Sequence, residues 1–242
     1  MNIRLAGDYD KMSKIAADII AKAVSENPST VLGLSRGTSL VGVYHELTAM
    51  HRKEGLDFSK VRSVNIDEFY PISPENSQSY RYFMDKYLFE RINIDKANIL
   101  FPDGMTKDPE AFCKEYEKAI DALGEIDIML LELGADGSIG FNKPTTDEPD
   151  PNVHIYEMSD KIQRVATQFF APDEEKPSSA IVMGIGRILK AKHIIILATG
   201  GRRKNEVKSF LSGVVDTSCP ATLLTSHSNL TFVCEEDIYP YS

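Results

Sequence analysis

The chain has 242 residues, a formal net charge of −9 and three cysteines. The length suits one large α/β domain over residues 1–242, and the acidic charge disfavours a nucleic-acid partner, which would need a basic patch. The cysteines are far apart without CxxC spacing, so neither a disulfide framework nor a metal site is predicted. No apolar run reaches the roughly 20 residues of a membrane span.

The N-terminal region predicts a helix followed by a buried strand. Residues 1–10 lack the apolar segment of a signal peptide, so we expect a cytoplasmic protein. Apolar residues then recur from Met12 with the spacing of an amphipathic helix, which should end at Asn27 and Pro28. Residues 30–34 read as a buried strand.

That strand leads into a short loop of small and polar residues, and a second helix follows through Val43, Leu47 and Met50. Because the first N–H groups of a helix are unpaired and its dipole is positive there, the loop is a candidate anion site. Its spacing is neither a P-loop nor GxGxxG. Helix capping by Ser or Thr remains the alternative. The loop consists of Ser35, Arg36, Gly37, Thr38 and Ser39.

A third strand is predicted over residues 61–66, and two acids follow it directly. Adjacent side chains of an extended chain point in opposite directions, so only one carboxylate can face a given ligand. We predict that Asp67 does so and that Glu68 supports it from behind; a solvated turn before Pro71 is the alternative. The helical stripe that begins at Tyr80 is predicted to be core packing.

The longest apolar run, residues 126–133, is typical of a strand buried on both faces and follows a helix that Gly124 should end. Gly134, Gly137 and Gly140 then recur at every third position around Asp136. An acid on a glycine-rich loop after a parallel strand lies where open α/β sheets bind ligands. Capping of a turn is the simpler reading of Asp136.

The C-terminal half predicts four further strands, at residues 153–158, 178–183, 193–198 and 230–234. The Pro- and acid-rich residues 169–179 form either a mobile lid or a surface connection. The strand at 193–198 ends in glycines followed by Arg202, Arg203 and Lys204. This basic start of a helix would suit a phosphate, although solvated surface charge explains it equally well.

Four separated motifs resemble, in order, those of the glucosamine-6-phosphate deaminase/isomerase family, which is related to the 6-phosphogluconolactonases. The first is the strand at 31–34 with its Ser/Gly/Thr turn, the second is VNIDEFY at 64–70, and the third is LGADGSIGFNKP at 133–144. The fourth comprises PAT at 220–222 and SHSN at 226–229, which look more like the galactosamine-6-phosphate branch.

The resemblance implies an α/β fold, namely a three-layer αβα sandwich around a mostly parallel, Rossmann-like sheet. It also implies a sugar-phosphate ligand and no metal or organic cofactor. Because members of the family often form oligomers, a homo-oligomer is a further expectation, although one sequence shows no interface. Asp67 matches the aspartate that moves a proton between C1 and C2 of the opened amino sugar, and Asp136 matches an acid that orients the ring-opening histidine. The expected substrate-binding residues are Ser35, Arg36, Gly37, Thr38, Ser39, Glu68, Gly134, Ala135, Gly137, Gln168 and Arg203 or Lys204.

The chain departs from the family's motifs at three positions. Ser138 stands where the family has the ring-opening histidine, Lys143 replaces a glutamate, and Gln168 stands in a stretch that carries an arginine in the family. A serine hydroxyl cannot accept a proton near pH 7 as imidazole can. Ring opening would therefore fall to Asp136 through water, to His154 or His227, or to a substrate that is already open.

The sequence thus predicts an aldose–ketose isomerase/deaminase acting on a galactosamine- or glucosamine-6-phosphate-like sugar, with catalytic roles for Asp67, Asp136 and Ser138. Such a base requires that burial or neighbouring acids raise the pKa of Asp67 towards neutrality. A sugar-phosphate-binding protein without turnover is the alternative from another class. Hydrolysis of 6-phosphogluconolactone is a weaker one, because that branch also carries a histidine where Ser138 stands.

Overall fold

Strands and helices alternate along the chain in a computed structural model that describes residues 1–241. The strands are β1 (Asn2–Ala6), β2 (Val31–Leu34), β3 (Arg62–Asn65), β4 (Asp67–Tyr70), β5 (Ile99–Leu100), β6 (Ile128–Glu132), β7 (Val153–Glu157), β8 (Ser179–Met183), β9 (Ile194–Ala198) and β10 (Leu230–Glu235). The α-helices are α1 (Tyr9–Glu26), α2 (Val41–Glu54), α3 (Tyr80–Tyr87), α4 (Pro109–Leu123), α5 (Asp160–Ala166), α6 (Ile185–Ile188) and α7 (Lys204–Phe210). Short 3-10 helices lie at Thr38–Leu40, Phe89–Arg91, Lys96–Asn98, Gly201–Arg203, Pro220–Ser226 and Glu236–Ile238.

Within the described residues, seven strands form one parallel sheet in the order β1-β10-β9-β6-β2-β3-β5. The mostly parallel α/β fold expected from the sequence is confirmed. All these strands run in the same direction, so their carboxyl ends share one edge, where ligands bind in open α/β sheets.

The central strand β6 explains the layering, because successive side chains point to opposite faces of the sheet. Met129 and Leu131 pack in a core cluster with side chains of α4 and α7, whereas Ile128 and Leu130 pack in a second cluster with α1 and α2. A strand covered by helices on both faces has to be apolar throughout. Glu132, at the end of β6, is the exception in this strand.

A second sheet, β4-β8-β7, is antiparallel and lies beyond the carboxyl end of β3. The chain passes between the two sheets at Ile66, whose N–H donates to Leu34 O (3.1 Å) and whose carbonyl accepts from Met183 N–H (2.7 Å). The strand predicted at 61–66 appears as β3, whereas the alternative of a solvated turn before Pro71 was wrong, because residues 67–70 form β4. Asp67 and Glu68 are the first residues of a new strand, which fixes their backbone.

Helix ends follow the local sequence signals. Asn27 caps the C-terminus of α1, and Gly124 ends α4 with a positive φ of 85°, as the sequence predicted. The three cysteines are buried and unpaired. Among helices of residues 1–241, none is both long and apolar enough to cross a bilayer.

Candidate active site

A cleft of about 450 Å³ opens at the carboxyl ends of β2, β3 and β6, and part of its wall comes from residues at and after the end of α5. Residues from six separate parts of the chain meet there. The lining comprises Arg36, Gly37, Thr38, Asp67, Tyr80, Glu132, Gly134, Ala135, Asp136, Ser138, Gly140, Phe141, Lys143, Val165, Ala166, Gln168, Phe169 and Arg203.

Asp67 lies in this cleft although its residue surface is only 2% exposed. The backbone N–H of Phe141, on the glycine-rich loop, donates to its Oδ2 at 3.1 Å. The loop comes this close because Gly140 has no side chain: a Cβ added there would overlap Asp67 Oδ2, and its φ of 55° is unfavourable for other residues. The third predicted motif thus contacts the second directly.

Burial raises the pKa of Asp67 to about 7. The Phe141 N–H opposes this shift, the neighbouring Glu68 carboxylate adds to it, and the cations of Lys143 and Arg36 oppose it. A carboxylate with a pKa near neutrality can both accept and return a proton under ordinary conditions. The arrangement therefore meets the requirement that the sequence placed on Asp67.

Glu68 faces away from the cleft and binds the N-terminus of α3. Its carboxylate accepts from Ser79 Oγ (2.7 Å), Tyr80 N–H (2.9 Å), Arg81 N–H (2.9 Å) and its own strand at Phe69 N–H (2.8 Å). Burial nevertheless raises the pKa of Glu68, with the N–H donors opposing the shift. Its place behind Asp67 matches the supporting position expected for it, but its oxygens do not reach the cleft lining.

Asp136, Ser138 and Lys143 form a connected polar group in the same cleft as Asp67. Ser138 Oγ donates to Asp136 Oδ1 at 2.5 Å, and Lys143 Nζ lies 3.1 Å from Asp136 Oδ2 and 3.2 Å from Ser138 Oγ. Partial burial would raise the pKa of Asp136, but the Lys143 ammonium and the Ser138 hydrogen bonds outweigh it and lower that pKa. Asp136 is therefore ionised at neutral pH.

The loop after β2 surrounds a carboxylate of the protein itself. Glu132 Oε2 accepts the backbone N–H of Ser39 at 3.2 Å, and Glu132 Oε1 pairs with Nη2 of Arg203. Gly37 leaves the space for this carboxylate, since a Cβ at Gly37 would overlap Oε2. Arg36 lies over the rings of Tyr80 and a neighbouring phenylalanine, 5.2 Å from the Tyr80 centroid.

Five of the expected binding residues do not line the cleft. They are Ser35, Ser39, Glu68, Gly137 and Lys204. Ser35 is buried and donates its hydroxyl to Leu130 O at 3.0 Å, and the Ser39 side chain is buried as well. Lys204 is exposed on the first turn of α7, whereas Arg203 lines the cleft. Gly137, with a φ of 78°, shapes the loop and accepts from Ala221 N–H.

The histidines offered for ring opening do not line the cleft either. His227 Nε2 lies 2.7 Å from Ala191 O, and His154 Nδ1 lies 3.0 Å from Asn152 O. Among residues 1–241, the cleft lining contains no histidine, and no cluster of His, Cys, Asp or Glu is arranged to hold a metal ion.

Sequence reasoning missed several lining residues. Tyr80 was assigned to core packing because it begins an apolar helical stripe, and it does pack against Phe69 and Phe141, yet one side of it lines the cleft. Glu132 was read as part of an apolar strand. A charged residue in a strand buried on both faces was the signal that could have identified it.

Comparison with known proteins identifies the family of this chain. The model of the glucosamine-6-phosphate isomerases/6-phosphogluconolactonase family matches residues 9–233. The chain belongs to this family. Its resemblance in sequence to the deaminase/isomerase branch is confirmed by curated relatives. A glucosamine-6-phosphate deaminase of Clostridium perfringens (strain 13 / Type A) is 40% identical over 237 residues, 98% of each chain.

Further members of the family support this placement. A glucosamine-6-phosphate deaminase of Thermoanaerobacter sp. (strain X514) is 38% identical over 98% of this chain and 93% of its own length. A solved structure of a monomeric glucosamine-6-phosphate deaminase superposes with a TM-score of 0.92 at 32% identity, covering 98% of both chains. The 6-phosphogluconolactonase of Thermotoga maritima has a TM-score of 0.76 at 17% identity, over 97% of this chain and 99% of that one, and shares the fold.

Proposed function

We propose that this protein moves a proton between C1 and C2 of an open-chain amino sugar, as an aldose–ketose isomerase with or without release of ammonia. The observation that carries the proposal is the buried Asp67, whose pKa is raised to about 7 in a cleft that also holds an ionised carboxylate, a hydroxyl and an ammonium group. The substrate class is a hexosamine or its 6-phosphate, because relatives of this chain are named for glucosamine 6-phosphate.

Asp67 acts as the base in this proposal. It removes the proton from C2 of the aldose and returns it to C1, and the adjacent carbonyl stabilises the charge that develops after proton loss. No metal or organic cofactor takes part. A positioned acid or base of this kind typically contributes about 10² to 10⁴ in rate.

Ring opening is assigned to Asp136, Ser138 and Lys143, which line the same cleft as Asp67. The Asp136 carboxylate accepts the proton of the anomeric hydroxyl, and Ser138 donates its proton to the ring oxygen while receiving one from the Lys143 ammonium. The contacts of Ser138 with both Asp136 and Lys143 support this role, because the hydroxyl needs a second proton donor if it is to act as an acid.

Incorporation of solvent deuterium at C2 tests the proposal. Glucosamine, galactosamine and their 6-phosphates are incubated with the protein in D₂O, and deuterium at C2 is followed by NMR. We expect exchange with at least one of these sugars, and a loss of about 10² to 10⁴ in rate for Asp67→Asn. Asp18→Asn, on the exposed face of α1, is the matched control and should keep the wild-type rate.

Two results would contradict the proposal. If Asp67→Asn still exchanges deuterium at C2 at the wild-type rate, Asp67 is not the base. Tight binding of a hexosamine or hexosamine phosphate without exchange or turnover points instead to the binding protein considered above.

A further inference from the structure

The anion site predicted after β2 is already occupied by a side chain of the protein. The Glu132 carboxylate accepts the backbone N–H of Ser39 at 3.2 Å and lies against the bare backbone of Gly37. The loop residues Arg36, Gly37 and Thr38 and Glu132 itself all line the same cleft as Asp67. The position where the loop would hold an external anion therefore carries a fixed negative charge.

The nearby cation is also satisfied internally. Arg203 pairs with Glu132 through Nη2, donates from Nε to Leu133 O at 2.7 Å and donates from Nη1 to Thr199 O at 2.6 Å. Both side chains of the ion pair are mostly buried, at 16% and 12% exposure, so water screens their charges little. A phosphate entering here would meet a guanidinium whose charge is already balanced.

The position of Glu132 in β6 keeps its carboxylate fixed at the loop of residues 36–39. It follows Ile128 and Leu130 on the face of the sheet that packs against α1 and α2, and the loop of residues 36–39 lies at that same side. To release the loop, the carboxylate would have to give up the Ser39 N–H and the Arg203 guanidinium together. Leaving a charged group buried without partners is strongly unfavourable.

We propose that the cleft accepts an amino sugar whose terminal carbon carries a free hydroxyl, and that Glu132 selects against the 6-phosphate at that end. This rests on the proposed function and narrows its substrate class. A hydroxyl group can donate a hydrogen bond to the Glu132 carboxylate. A phosphate that is dianionic at neutral pH has no proton to donate and is repelled by the carboxylate.

The test compares each hexosamine with its own 6-phosphate in wild type and in Glu132→Gln. Glutamine keeps the size of the side chain and one acceptor oxygen, which can face either the Ser39 N–H or Arg203, but it removes the charge, so the fold should survive. For wild type we expect kcat/KM for exchange at C2 to be at least about tenfold higher for the free sugar than for its 6-phosphate. In Glu132→Gln that ratio should shift towards the phosphate by at least about tenfold, while exposed Glu125→Gln should leave it unchanged.

Binding of inorganic phosphate, measured by calorimetry, separates a failure of this inference from a failure of the proposed function. We expect wild type to bind it weakly or not at all, and Glu132→Gln and Glu132→Gly to bind it at least about tenfold more tightly. That result supports the role of Glu132 even if no sugar undergoes exchange. A wild type that prefers the 6-phosphates, or binds inorganic phosphate as tightly as Glu132→Gln does, overturns it.

Discussion

Two adjacent acids, Asp67 and Glu68, differ in role because an extended chain turns them to opposite sides. Asp67 faces the cleft, and Glu68 is held by three donors at the N-terminus of α3 in addition to its own strand. Proximity still couples them, since the Glu68 carboxylate is one of the charges that raise the pKa of Asp67. Glu68 therefore contributes to the pH at which Asp67 ionises.

Removing the charge of Glu68 should make Asp67 a stronger acid. In Glu68→Gln we expect the rising acid limb of the pH profile of kcat/KM, which reports the pKa of the free base, to move to lower pH by up to about one unit. Glu115→Gln, on the exposed face of α4, should leave the limb in place. A profile that stays at the wild-type position would show that Asp67 is not the titrating base.

Lys143 acts in the opposite direction, because its ammonium lowers the pKa of both Asp136 and Asp67. Replacement by methionine keeps most of the length of the side chain and removes the charge. We expect Lys143→Met to shift the acid limb of kcat/KM to higher pH by about one unit or less, and to lower the rate on closed pyranose sugars further, since Ser138 loses its proton donor. Exposed Lys118→Met is the control, and an unshifted limb would contradict the coupling.

At the scale of elements, the glycine-rich loop after β6 holds Asp67 in place through its backbone. Gly140→Ala should push Asp67 away, because the new Cβ would overlap its Oδ2, and should add strain at a φ of 55°. We expect a loss of exchange of at least about tenfold together with a destabilisation of about 1 kcal/mol or more, measured by urea unfolding.

Gly55 offers a matched control for that substitution. It caps α2 with a φ of 76°, and a Cβ there would meet nothing within 4 Å. Gly55→Ala should therefore show the strain of a positive φ without loss of exchange. Equal losses of activity in the two variants would mean that general destabilisation, rather than contact with Asp67, explains the effect of Gly140→Ala.

The sequence predicts those elements best whose signals are local. The apolar run of β6 and the helix stop at Gly124 follow from burial and backbone preference, and both appear in the structure. The second sheet was missed because a single residue, Ile66, separates β3 from β4, and hydrogen bonds to distant strands decide where one ends and the other begins. Strand β1 was missed because four of its five residues are exposed and carry no burial pattern.

The same distinction applies to the cleft. Three motif segments were recognisable because each is a strand followed by glycines or acids, and the fold brings all three to one edge. The pairing of Glu132 with Arg203 joins residues 71 positions apart, so only the three-dimensional structure shows that the predicted anion site carries its own carboxylate. Side-chain contacts across the cleft join residues that are distant in the sequence, so the local hydrophobic pattern cannot predict them.

For the whole molecule, the buried base makes stability depend on pH. The pKa of Asp67 is about 7 in the folded protein against an ordinary value of 3.8, so its ionisation opposes folding. Its contribution to stability is fully present below the unfolded value and is lost as pH rises towards 7, at about 1.4 kcal/mol per unit. A carboxylate buried in this way therefore destabilises the fold at the pH where it is ionised.

Asp67→Asn should remove that dependence, because asparagine does not ionise and can still accept the Phe141 N–H. Between pH 5 and pH 8 we expect the free energy of unfolding of the variant to rise relative to wild type by about 2 to 3 kcal/mol. Urea unfolding at several pH values measures this, with Asp18→Asn as the exposed control. Curves for Asp67→Asn and wild type that stay parallel across this range would mean that Asp67 has an ordinary pKa in the folded protein, and the proton-transfer role would lose its physical basis.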